Sequence, residues 1–319
     1  MNLLFQSYTK AAENQKIFWR ILIELIRRLM MLMGDPSYTV EMRGKKMTLP
    51  FSHKLPIYIG RFPFYDALPS RISSHIRTVR GFLRMVDVGA NVGDTIAACY
   101  NHHDDHFLAV EANPAFVKYL RLNTSNIQHL TLVQAFCHSG SSGQTSVSID
   151  SSNGTATIRE GHGLTLPRKT LDEIINENAD FNDANFLKID TDGNDFDIIK
   201  GAHAYISKSK PVILLECDIF DNSTYVSDLV DTMKFFDQVG YASMIVYDNY
   251  GNLFGVFDIK DFVGFKYSLF YQLVSQFGYF DLLILKPEDE LFIRSEKVYF
   301  TEHITNPILK NAAKEALDL

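Results

Sequence analysis

The stretch from Met85 to Thr95 constrains the fold of this chain more than any other part of the sequence. It reads Met-Val-Asp-Val-Gly-Ala-Asn-Val-Gly-Asp-Thr, which predicts a short buried strand, a tight glycine loop and a helix that begins at Asp94 or Thr95. Glycine lets a ligand approach the backbone closely, and the first turn of the helix directs free N–H groups toward that ligand. Open α/β sheets bind nucleotide-like molecules with such strand–loop–helix units, at the carboxyl ends of their strands.

The spacing of the loop indicates which nucleotide-like ligand it suits. Gly89 and Gly93 are separated by three residues, unlike the G-x-G-x-x-G of dinucleotide sites or the G-x-x-x-x-G-K of phosphate loops. The loop contains no Lys or Arg to meet a phosphate, and Asp87 stands directly before it. An acid in this place favours a ligand that carries hydroxyls or positive charge. The loop therefore points to S-adenosylmethionine rather than to NAD or ATP.

From residue 85 onward, apolar runs alternate with amphipathic segments, which is typical of a doubly wound, mostly parallel α/β sheet. The predicted strands are residues 85–88, 107–110, 130–134, 186–190, 212–216, 243–247 and 282–285. The predicted helices between them are residues 94–100, 114–122, 171–177, 196–205 and 225–239.

The remaining segments are predicted to surround this core. Residues 1–84 are expected to form an amphipathic helix and a cover rich in proline and aromatic residues, and residues 85–286 to form the cofactor-binding core. Residues 287–319 are expected to form a peripheral arm. Within the core, residues 139–163 are rich in Ser, Thr and Gly, which predicts an inserted flap or hairpin above the ligand end of the sheet.

The segment 17–33 is strongly apolar but carries charges that share one helical face, which leaves a wide apolar face opposite. The charges are Arg20, Glu24, Arg27 and Arg28. A charge in every turn argues against a transmembrane span. Three alternatives remain open for this helix: docking on the chain's own core, exchange with another subunit in a homo-oligomer, or lying on a membrane surface.

Composition narrows the location and the class of partner. The 319 residues carry a formal net charge of -7, which argues against non-specific binding to nucleic acid. Three cysteines lie far apart without metal or redox spacing, and no signal peptide is evident, so reduced thiols in a cytoplasmic protein are expected. Peripheral contact with a membrane through residues 17–33 is compatible with that location.

Carboxylates follow several of the predicted strands. Asp87, Glu111, Asp190 and Glu216 would all lie along the edge of the sheet where ligands bind. Glu111 stands about 20 residues after the glycine loop, where an acid can accept hydrogen bonds from both ribose hydroxyls. Asp192 stands two residues after Asp190, in the loop after the fourth strand.

Four ordered motifs in these segments resemble the FkbM family of S-adenosylmethionine-dependent methyltransferases. They are Val-Asp-Val-Gly-Ala-Asn-Val-Gly at 86–93, Val-Glu-Ala-Asn-Pro at 110–114, Phe-Leu-Lys-Ile-Asp-Thr-Asp-Gly at 186–193 with Lys-Gly-Ala at 200–202, and Pro-Val-Ile-Leu-Leu-Glu at 211–216. The resemblance implies a class I methyltransferase (Rossmann-like) fold. It also implies O-methylation of a hydroxyl on a sugar or on a glycosylated or polyketide-type acceptor.

The resemblance also implies roles for individual residues. The predicted cofactor-binding set is Gly89, Asn91, Gly93 and Glu111, with Asp190 beside the methionine end of the cofactor, completed by Asp87 and Ala135. The sequence departs from the family pattern in two places. Ala112 stands where the family has Pro, and Thr191-Asp192 stand where it has Val-Glu, so the acid there has a shorter arm.

A sugar hydroxyl needs a base or a metal ion before it can attack a methyl group. Asp190 and Asp192 are the predicted catalytic carboxylates, with Glu216 as a second acid nearby, and direct catalysis and Mg²⁺ binding both remain open. His138 and His162 are expected to be solvated loop residues rather than the base. The run from His102 to His106 resembles a metal site but is expected to be a solvated turn at the opposite edge.

Two other classes of function compete with a methyltransferase. A non-catalytic binding module could keep the cofactor fold for interaction, held at a membrane by residues 17–33. A nicotinamide-dependent dehydrogenase is disfavoured by the spacing of Gly89 and Gly93.

Overall fold

The computed structural model describes residues 17–152, 155–219, 222–275 and 278–319. The strands, in chain order, are β1 (Ser37–Met42), β2 (Lys45–Pro50), β3 (Arg84–Val88), β4 (His106–Val110), β5 (Leu130–Val133), β6 (Phe136–Cys137), β7 (Gly143–Ser152), β8 (Thr155–Glu160), β9 (Leu164–Lys169), β10 (Phe186–Ile189), β11 (Val212–Cys217), β12 (Ser243–Asp248), β13 (Leu253–Asp258) and β14 (Phe280–Leu285). The helices are α1 (Ile17–Leu32), α2 (Leu55–Arg61), α3 (Leu68–Arg80), α4 (Asp94–Cys99), α5 (Pro114–Asn123), α6 (Leu171–Glu177), α7 (Asp195–Lys200), α8 (His203–Ser209), α9 (Tyr225–Val239), α10 (Phe262–Ser275), α11 (Glu290–Glu302) and α12 (Pro307–Ala316).

The large central sheet has the strand order β13-β12-β14-β11-β10-β3-β4-β5. The strands from β11 to β5 run parallel, whereas β14 pairs antiparallel with both β11 and β12. The predicted doubly wound, mostly parallel sheet is therefore confirmed. After β3 the chain builds outward to β5 and then returns to β10 on the other side of β3. This reversal of direction creates a crevice between the ends of β3 and β10, where open α/β sheets bind ligands.

Both faces of the sheet are covered. Val86, Leu187 and Ile213 contribute to the core on one face, and Met85 and Phe186 contribute to the core on the other. All four residues of β10 are buried, including Lys188, because both faces of this central strand are covered. Because side chains alternate along a strand, each of the few polar side chains in these strands points to one particular face of the sheet.

One predicted helix is two helices in the structure. The prediction for residues 196–205 is wrong in its continuity, because α7 ends at Lys200 and α8 begins at His203. A Cβ on the intervening Gly201 would lie 2.4 Å from the carbonyl oxygen of His138. The chain therefore turns at a residue that can tolerate this close approach. The edge strand β13 and the helix α10 were not predicted.

The predicted flap at residues 139–163 is part of a larger unit. Strands β7 and β8 form a hairpin, and β9 and β6 extend it into a small sheet with the order β6-β9-β7-β8. Val147 and Leu166 of this sheet pack against Ala112 and Phe136. The small sheet is thereby fixed beside the ends of β4 and β5.

The segment before β3 forms a layer on the core. Strands β1 and β2 pair antiparallel, and Ile23 of α1 packs in the same apolar cluster as their buried residues. Arg27 is also buried and donates to the carbonyl oxygen of Ser52 at 3.3 Å. Helix α1 thus docks on its own chain with one face. None of the described helices is both long and apolar enough to cross a membrane.

The tail of the chain joins the core through α11. Phe292 and Glu296 are buried, and Glu296 accepts two hydrogen bonds of 2.8 Å from Arg71 and one of 2.8 Å from the hydroxyl of Tyr247. The expected division into residues 1–84, 85–286 and 287–319 stays a prediction.

Candidate functional site

The glycine loop closes against the loop that follows β10. Gly89 has a φ of +82°, and a Cβ at this position would lie 1.8 Å from the backbone oxygen of Asp190. The N–H groups of Gly89 and Ala90 both donate to the carbonyl oxygen of Val110, at 2.9 and 3.1 Å. Only glycine fits here, because any side chain would separate the two loops at the switch point.

Glu111 braces the glycine loop from the end of β4. One carboxylate oxygen accepts the N–H of Asn91 at 2.8 Å, and the other accepts the N–H of Asn113 at 2.7 Å. Burial raises the pKa of Glu111 to about 7, although the two N–H donors act in the opposite direction. The left-handed backbone of Asn91, with a φ of 47°, is held by this contact.

A second acid braces the loop after β10. Asp195, at the start of α7, accepts the N–H groups of Thr191 and Gly193 at 3.1 and 3.2 Å. Burial raises the pKa of Asp195 to about 7, and the nearby Asp190 adds to the effect. Between these anchored points Asp192 adopts a left-handed backbone with a φ of 51°. Asp190 and Asp192 are therefore presented by a loop with fixed geometry.

A cavity of about 500 Å³, here called the glycine-loop cavity, opens between these two loops. Its lining comprises Val88, Gly89, Asn91, Val110, Glu111, Ala112, Phe116, Ala135, Phe136, Cys137, Asp190, Thr191, Asp192, Asn194 and Ile198. These residues carry three carboxylates and no cationic side chain.

Two further cavities adjoin the first one through Asp190. The acid cavity, of about 940 Å³, is lined by His53, Leu55, Tyr58, Tyr65, Asp66, Gly89, Asn91, Asp94, Thr95, Lys188, Asp190, Asp192, Glu216 and Tyr279. The Asn249 cavity, of about 560 Å³, is lined by Phe64, Tyr65, Asp66, Leu68, Pro69, Lys188, Ile189, Asp190, Leu214, Glu216, Asn249, Gly251, Tyr279 and Asp281. Asp190 belongs to the walls of all three cavities.

Lys188 is the cation of this site. Its Nζ lies 2.8 Å from Oδ2 of Asp190 and 3.7 Å from Oδ1 of the fully buried Asp87. Burial alone would lower the pKa of Lys188, but Asp190 and Asp87 raise it well above its ordinary value. Burial raises the pKa of Asp87 to about 6 against the attraction of Lys188. The lysine is thus a fixed positive charge that holds Asp190 in place.

Glu216 and Asp281 form an acidic pair on the same face of the sheet, since they face each other across β11 and β14. Burial, and then the charge of Asp190, raises the pKa of Glu216 well above its ordinary value and that of Asp281 to about 8. Oε2 of Glu216 is buried and has no hydrogen-bond partner in the described part of the chain. This oxygen is available to a ligand.

The layer before β3 supplies the opposite wall of the acid cavity. Nδ1 of His53 accepts the N–H of Leu55 at 3.3 Å, so Nε2 carries the proton and faces Oδ1 of Asn91 at 3.4 Å. Burial lowers the pKa of His53, which keeps the ring neutral. Burial raises the pKa of Asp66 well above its ordinary value, and a hydrogen bond with the carboxyl group of Asp94 contributes.

Comparison with known proteins identifies the domain that carries this site. The family model of the methyltransferase FkbM domain matches residues 87–242, which contain the glycine loop, Glu111, Asp190 and Glu216. Residues 87–242 are an FkbM methyltransferase domain. The large central sheet therefore belongs to a class I methyltransferase fold, as the resemblance implied.

Solved structures resemble the chain as a whole only distantly. Methyltransferase FkbM from Methylobacillus flagellatus KT is 17% identical, and the match covers 51% of this chain and 39% of that chain with a TM-score of 0.35. A SAM-dependent methyltransferase from Agrobacterium tumefaciens is 10% identical, with 79% and 70% covered and a TM-score of 0.43. An O-methyltransferase from Bacillus cereus in complex with SAH is 9% identical, with 69% and 81% covered and a TM-score of 0.38. Comparison with curated proteins finds no match.

The FkbM domain brings most of the predicted cofactor residues together. Gly89, Asn91, Glu111, Ala135 and Asp190 all line the glycine-loop cavity. The other two predicted residues line none of the three cavities. A Cβ on Gly93 would lie 3.0 Å from Cγ2 of Thr124, so this glycine lets α4 pack against α5, and Asp87 is buried beside Lys188.

The predicted catalytic acids divide between the cavities. Asp192 lines the glycine-loop and acid cavities, whereas Glu216 lines the acid and Asn249 cavities. Among the described residues, one group of three side chains could bind a metal ion, because its ligand atoms lie within 4.8 Å of one another. This group consists of His102, His103 and Asp104. All three are exposed and precede β4, at the opposite edge of the sheet, as expected for a solvated turn. Asp105 of the same run departs from that expectation, because it is buried and forms an ion pair with Arg77 at 2.6 Å.

Several residues of the site were not predicted. Lys188 interrupts one otherwise apolar strand and Asp281 interrupts another, so an isolated charge in a buried strand was the available signal. His53 and Asp66 come from the cover segment, and only tertiary structure brings them to the FkbM domain. The expectation that His138 is solvated is wrong, because it is buried and its Nδ1 accepts the N–H of Gly140 at 2.7 Å. His162 is exposed, as expected.

Proposed function

We propose that the protein is an S-adenosylmethionine-dependent O-methyltransferase that acts on a hydroxyl group of a sugar or of a glycosylated or polyketide-type acceptor. The observation that carries the proposal is the continuity of the site through Asp190. This residue borders both the glycine-loop cavity of the FkbM domain and the acid cavity beside it. A cofactor in the first cavity and an acceptor in the second would meet at Asp190.

The residues of the glycine-loop cavity fit S-adenosylmethionine. Its lining contains Glu111, Asp190 and Asp192 but no Lys or Arg, which suits a ribose diol and a cationic sulfonium and would repel a diphosphate. Gly89, Asn91, Glu111 and Ala135 would hold the adenosine part, and Asp190 would lie near the methionine part. When bound, the cofactor supplies an electrophilic methyl group.

The protein's own contribution to the reaction is alignment and proton transfer. Alignment of the acceptor hydroxyl with the methyl group supplies much of the rate of an in-line displacement. We assign the proton acceptor to Asp190, which Lys188 holds at 2.8 Å from its Nζ. Glu216 would bind the acceptor from the far side through its Oε2. The proposal assigns no role to Mg²⁺.

The cofactor assignment is tested by calorimetric titration with S-adenosylmethionine and S-adenosylhomocysteine, with NAD as a control. We expect micromolar binding that is lost in Glu111→Gln, because an amide cannot accept both loop N–H groups at once. Glu177→Gln, at an exposed glutamate, should bind as the unchanged protein does. Binding of NAD in place of the two methionine derivatives would refute the assignment.

Catalysis is tested by transfer of a radiolabelled methyl group from S-adenosylmethionine to a panel of sugars and glycosides. Asp190→Asn should lower kcat by about 10²–10⁴-fold while S-adenosylhomocysteine still binds, as expected for loss of a general base. Asp192→Asn should lower it less. If binding persists but no acceptor is methylated by the unchanged protein, the non-catalytic alternative is favoured instead.

We further propose that the protein works in the cytoplasm and contacts an anionic membrane surface through α1. Its outer face exposes an apolar stripe, which comprises Phe18, Ile21, Leu25, Leu29 and Leu32. The charges near Lys54, which lies close to this helix, are mainly positive, since Arg27, Arg28 and Arg61 surround it with Glu24 among them. An apolar stripe bordered by basic residues, in a chain of net charge -7, suits anionic lipid better than a second copy of an acidic protein.

Vesicle flotation tests this contact. The protein should float with vesicles that contain phosphatidylglycerol and should remain unbound with phosphatidylcholine alone. Leu25→Glu should abolish flotation, whereas Leu122→Glu, at an exposed leucine of α5, should leave it intact. If Leu25→Glu instead converts a dimer to a monomer in light scattering and vesicles do not bind, the membrane proposal is wrong.

A further inference from the structure

The Asn249 cavity contains two buried side-chain oxygens that have no hydrogen-bond partner among the described residues. Oε2 of Glu216 and Oδ1 of Asn249 are buried and have no hydrogen-bond partner within the described part of the chain. Glu216 is 6% exposed and lines the cavity together with Asn249. A buried acceptor without a donor is costly, so these two oxygens indicate that a ligand supplies N–H or O–H groups here.

The carboxyl groups of this cavity outnumber its cationic groups. Its walls carry the carboxyl groups of Asp66, Asp190, Glu216 and Asp281, and the one cation among the lining residues is Lys188. The ammonium group of Lys188 is already engaged with Asp190 at 2.8 Å and Asp87 at 3.7 Å. Glu216 and Asp281 thus have no positive charge of their own among these residues.

An ammonium group corrects both deficits at once. It offers three N–H donors and one positive charge, whereas a hydroxyl group offers one donor and no charge. Burial, followed by the charge of Asp190, raises the pKa of Asp281 to about 8, so an entering cation would find a proton to displace.

Aromatic rings complete the cavity. Phe64, Tyr65 and Tyr279 line it beside the carboxyl groups. Aromatic faces attract ammonium groups and also pack against sugar rings. The wall therefore suits a cationic sugar better than a small inorganic cation.

We propose that the acceptor is an amino sugar, or a glycoside that carries one, and that its ammonium group binds in the Asn249 cavity between Glu216, Asp281 and Asn249. This inference rests on the proposed function and names the class of substrate for the same site. The hydroxyl to be methylated would then lie toward Asp190, where the Asn249 cavity adjoins the glycine-loop cavity.

Matched sugars test the proposal by calorimetry on the full chain saturated with S-adenosylhomocysteine. The probes are methyl glucoside and its 2-amino, 3-amino and 6-amino derivatives, which differ from it by one ammonium group. We expect at least one amino derivative to bind tenfold or more tightly than methyl glucoside. Its binding should release protons to the buffer, seen as a dependence of the measured heat on the ionisation enthalpy of the buffer.

Two variants test whether the Asn249 cavity is responsible for the tighter binding of the amino derivative. Asp281→Asn should abolish the advantage of the amino derivative, and Asp231→Asn, at an exposed acid of α9, should preserve it. The inference is overturned if no amino derivative binds more tightly than methyl glucoside, or if none of the four sugars binds. If the unchanged protein does not bind S-adenosylhomocysteine, the proposed function is rejected instead, so the two failures are distinguishable.

Discussion

At the scale of single residues, the site depends on backbone contacts that leave no room for a side chain. Gly89 meets the backbone of Asp190 so closely that the positions of the two loops are linked. Glu111 and Asp195 then fix one loop each by accepting two backbone N–H groups. The carboxylates at the centre of the site are thus positioned by other carboxylates behind them.

Gly89→Ala should be far more damaging than a glycine replacement with the same backbone angle elsewhere. Gly81 has a φ of +79° and open space around it. Gly81→Ala should therefore lower the free energy of unfolding only by the cost of the left-handed backbone, about 1–2 kcal/mol. Gly89→Ala adds the overlap with Asp190, and we expect a loss of about 3 kcal/mol or more. Urea denaturation measures both, and equal losses would refute the close approach.

The chemistry of these residues was predictable from sequence, but their partners were not. The glycine spacing and the acids after the strands identified Gly89, Glu111 and Asp190 as members of one edge, because parallel strands end together. The sequence could not reveal that both oxygens of Glu111 accept backbone N–H groups, since this depends on the path of the loop. Lys188 lies within one of the family motifs, but the sequence does not reveal that its ammonium group pairs with Asp87 and Asp190.

At the scale of elements, contacts between distant segments decide where helices end. Gly201 separates α7 from α8, and its carbonyl oxygen accepts the N–H of Asp172 at 2.9 Å, at the start of α6. A Cβ on this glycine would meet the backbone of His138, directly after β6. This one glycine therefore joins the small sheet, α6 and the helices after the Asp190 loop.

Gly201→Ala should destabilise the protein although alanine favours helices. The new Cβ would lie 2.4 Å from the carbonyl oxygen of His138, and we expect a loss of about 1–3 kcal/mol in the free energy of unfolding. In α10, Gly264 has its nearest neighbour at 3.7 Å, so Gly264→Ala should be stabilising by about 0.5–1 kcal/mol. The urea midpoints of both variants give the comparison, and a gain in both would contradict this account.

Element prediction succeeded where periodicity was clear and failed where it was not. The strands of the parallel sheet are short apolar runs between glycine, proline and acidic residues, and all of those predicted were found. Helix α10 is apolar around most of its circumference, so its sequence shows no preferred face. The contribution of His53 and Asp66 to the acid cavity could not be predicted, because it depends on how the cover segment folds back onto the core.

At the scale of the whole molecule, the site concentrates carboxyl groups in a protein that is already acidic. Burial is the first cause of the raised pKa values of Asp87, Glu111, Asp195 and Asp281, which are about 6, 7, 7 and 8. Each of these groups binds a proton more tightly in the folded chain than in the unfolded chain. Folding is thus linked to proton uptake at the site that is proposed to receive cations.

The sign of the linkage follows from these shifts. Between the ordinary pKa of a carboxyl group and its raised value, the folded state holds a proton that the unfolded state has lost, so stability falls as pH rises. The buried His53, whose pKa is lowered, acts in the opposite direction mainly below pH 6.5. The ionisation of unfolded thiols begins nearer their ordinary pKa of 9.0. The fall should therefore be clearest between about pH 6.5 and 8.

We expect the free energy of unfolding to decrease by about 1–3 kcal/mol across that window. Asp281→Asn should reduce the slope, because it removes the carboxyl group whose raised pKa of about 8 lies at the upper end of the window. Asp231→Asn, at an exposed acid, should leave the slope unchanged. Urea denaturation at pH 6.5, 7.25 and 8 is the measurement. Stability that is constant or rises over this window would mean that the carboxyl groups of the site are already ionised in the folded protein at pH 6.5, so that their pKa values are not raised by burial.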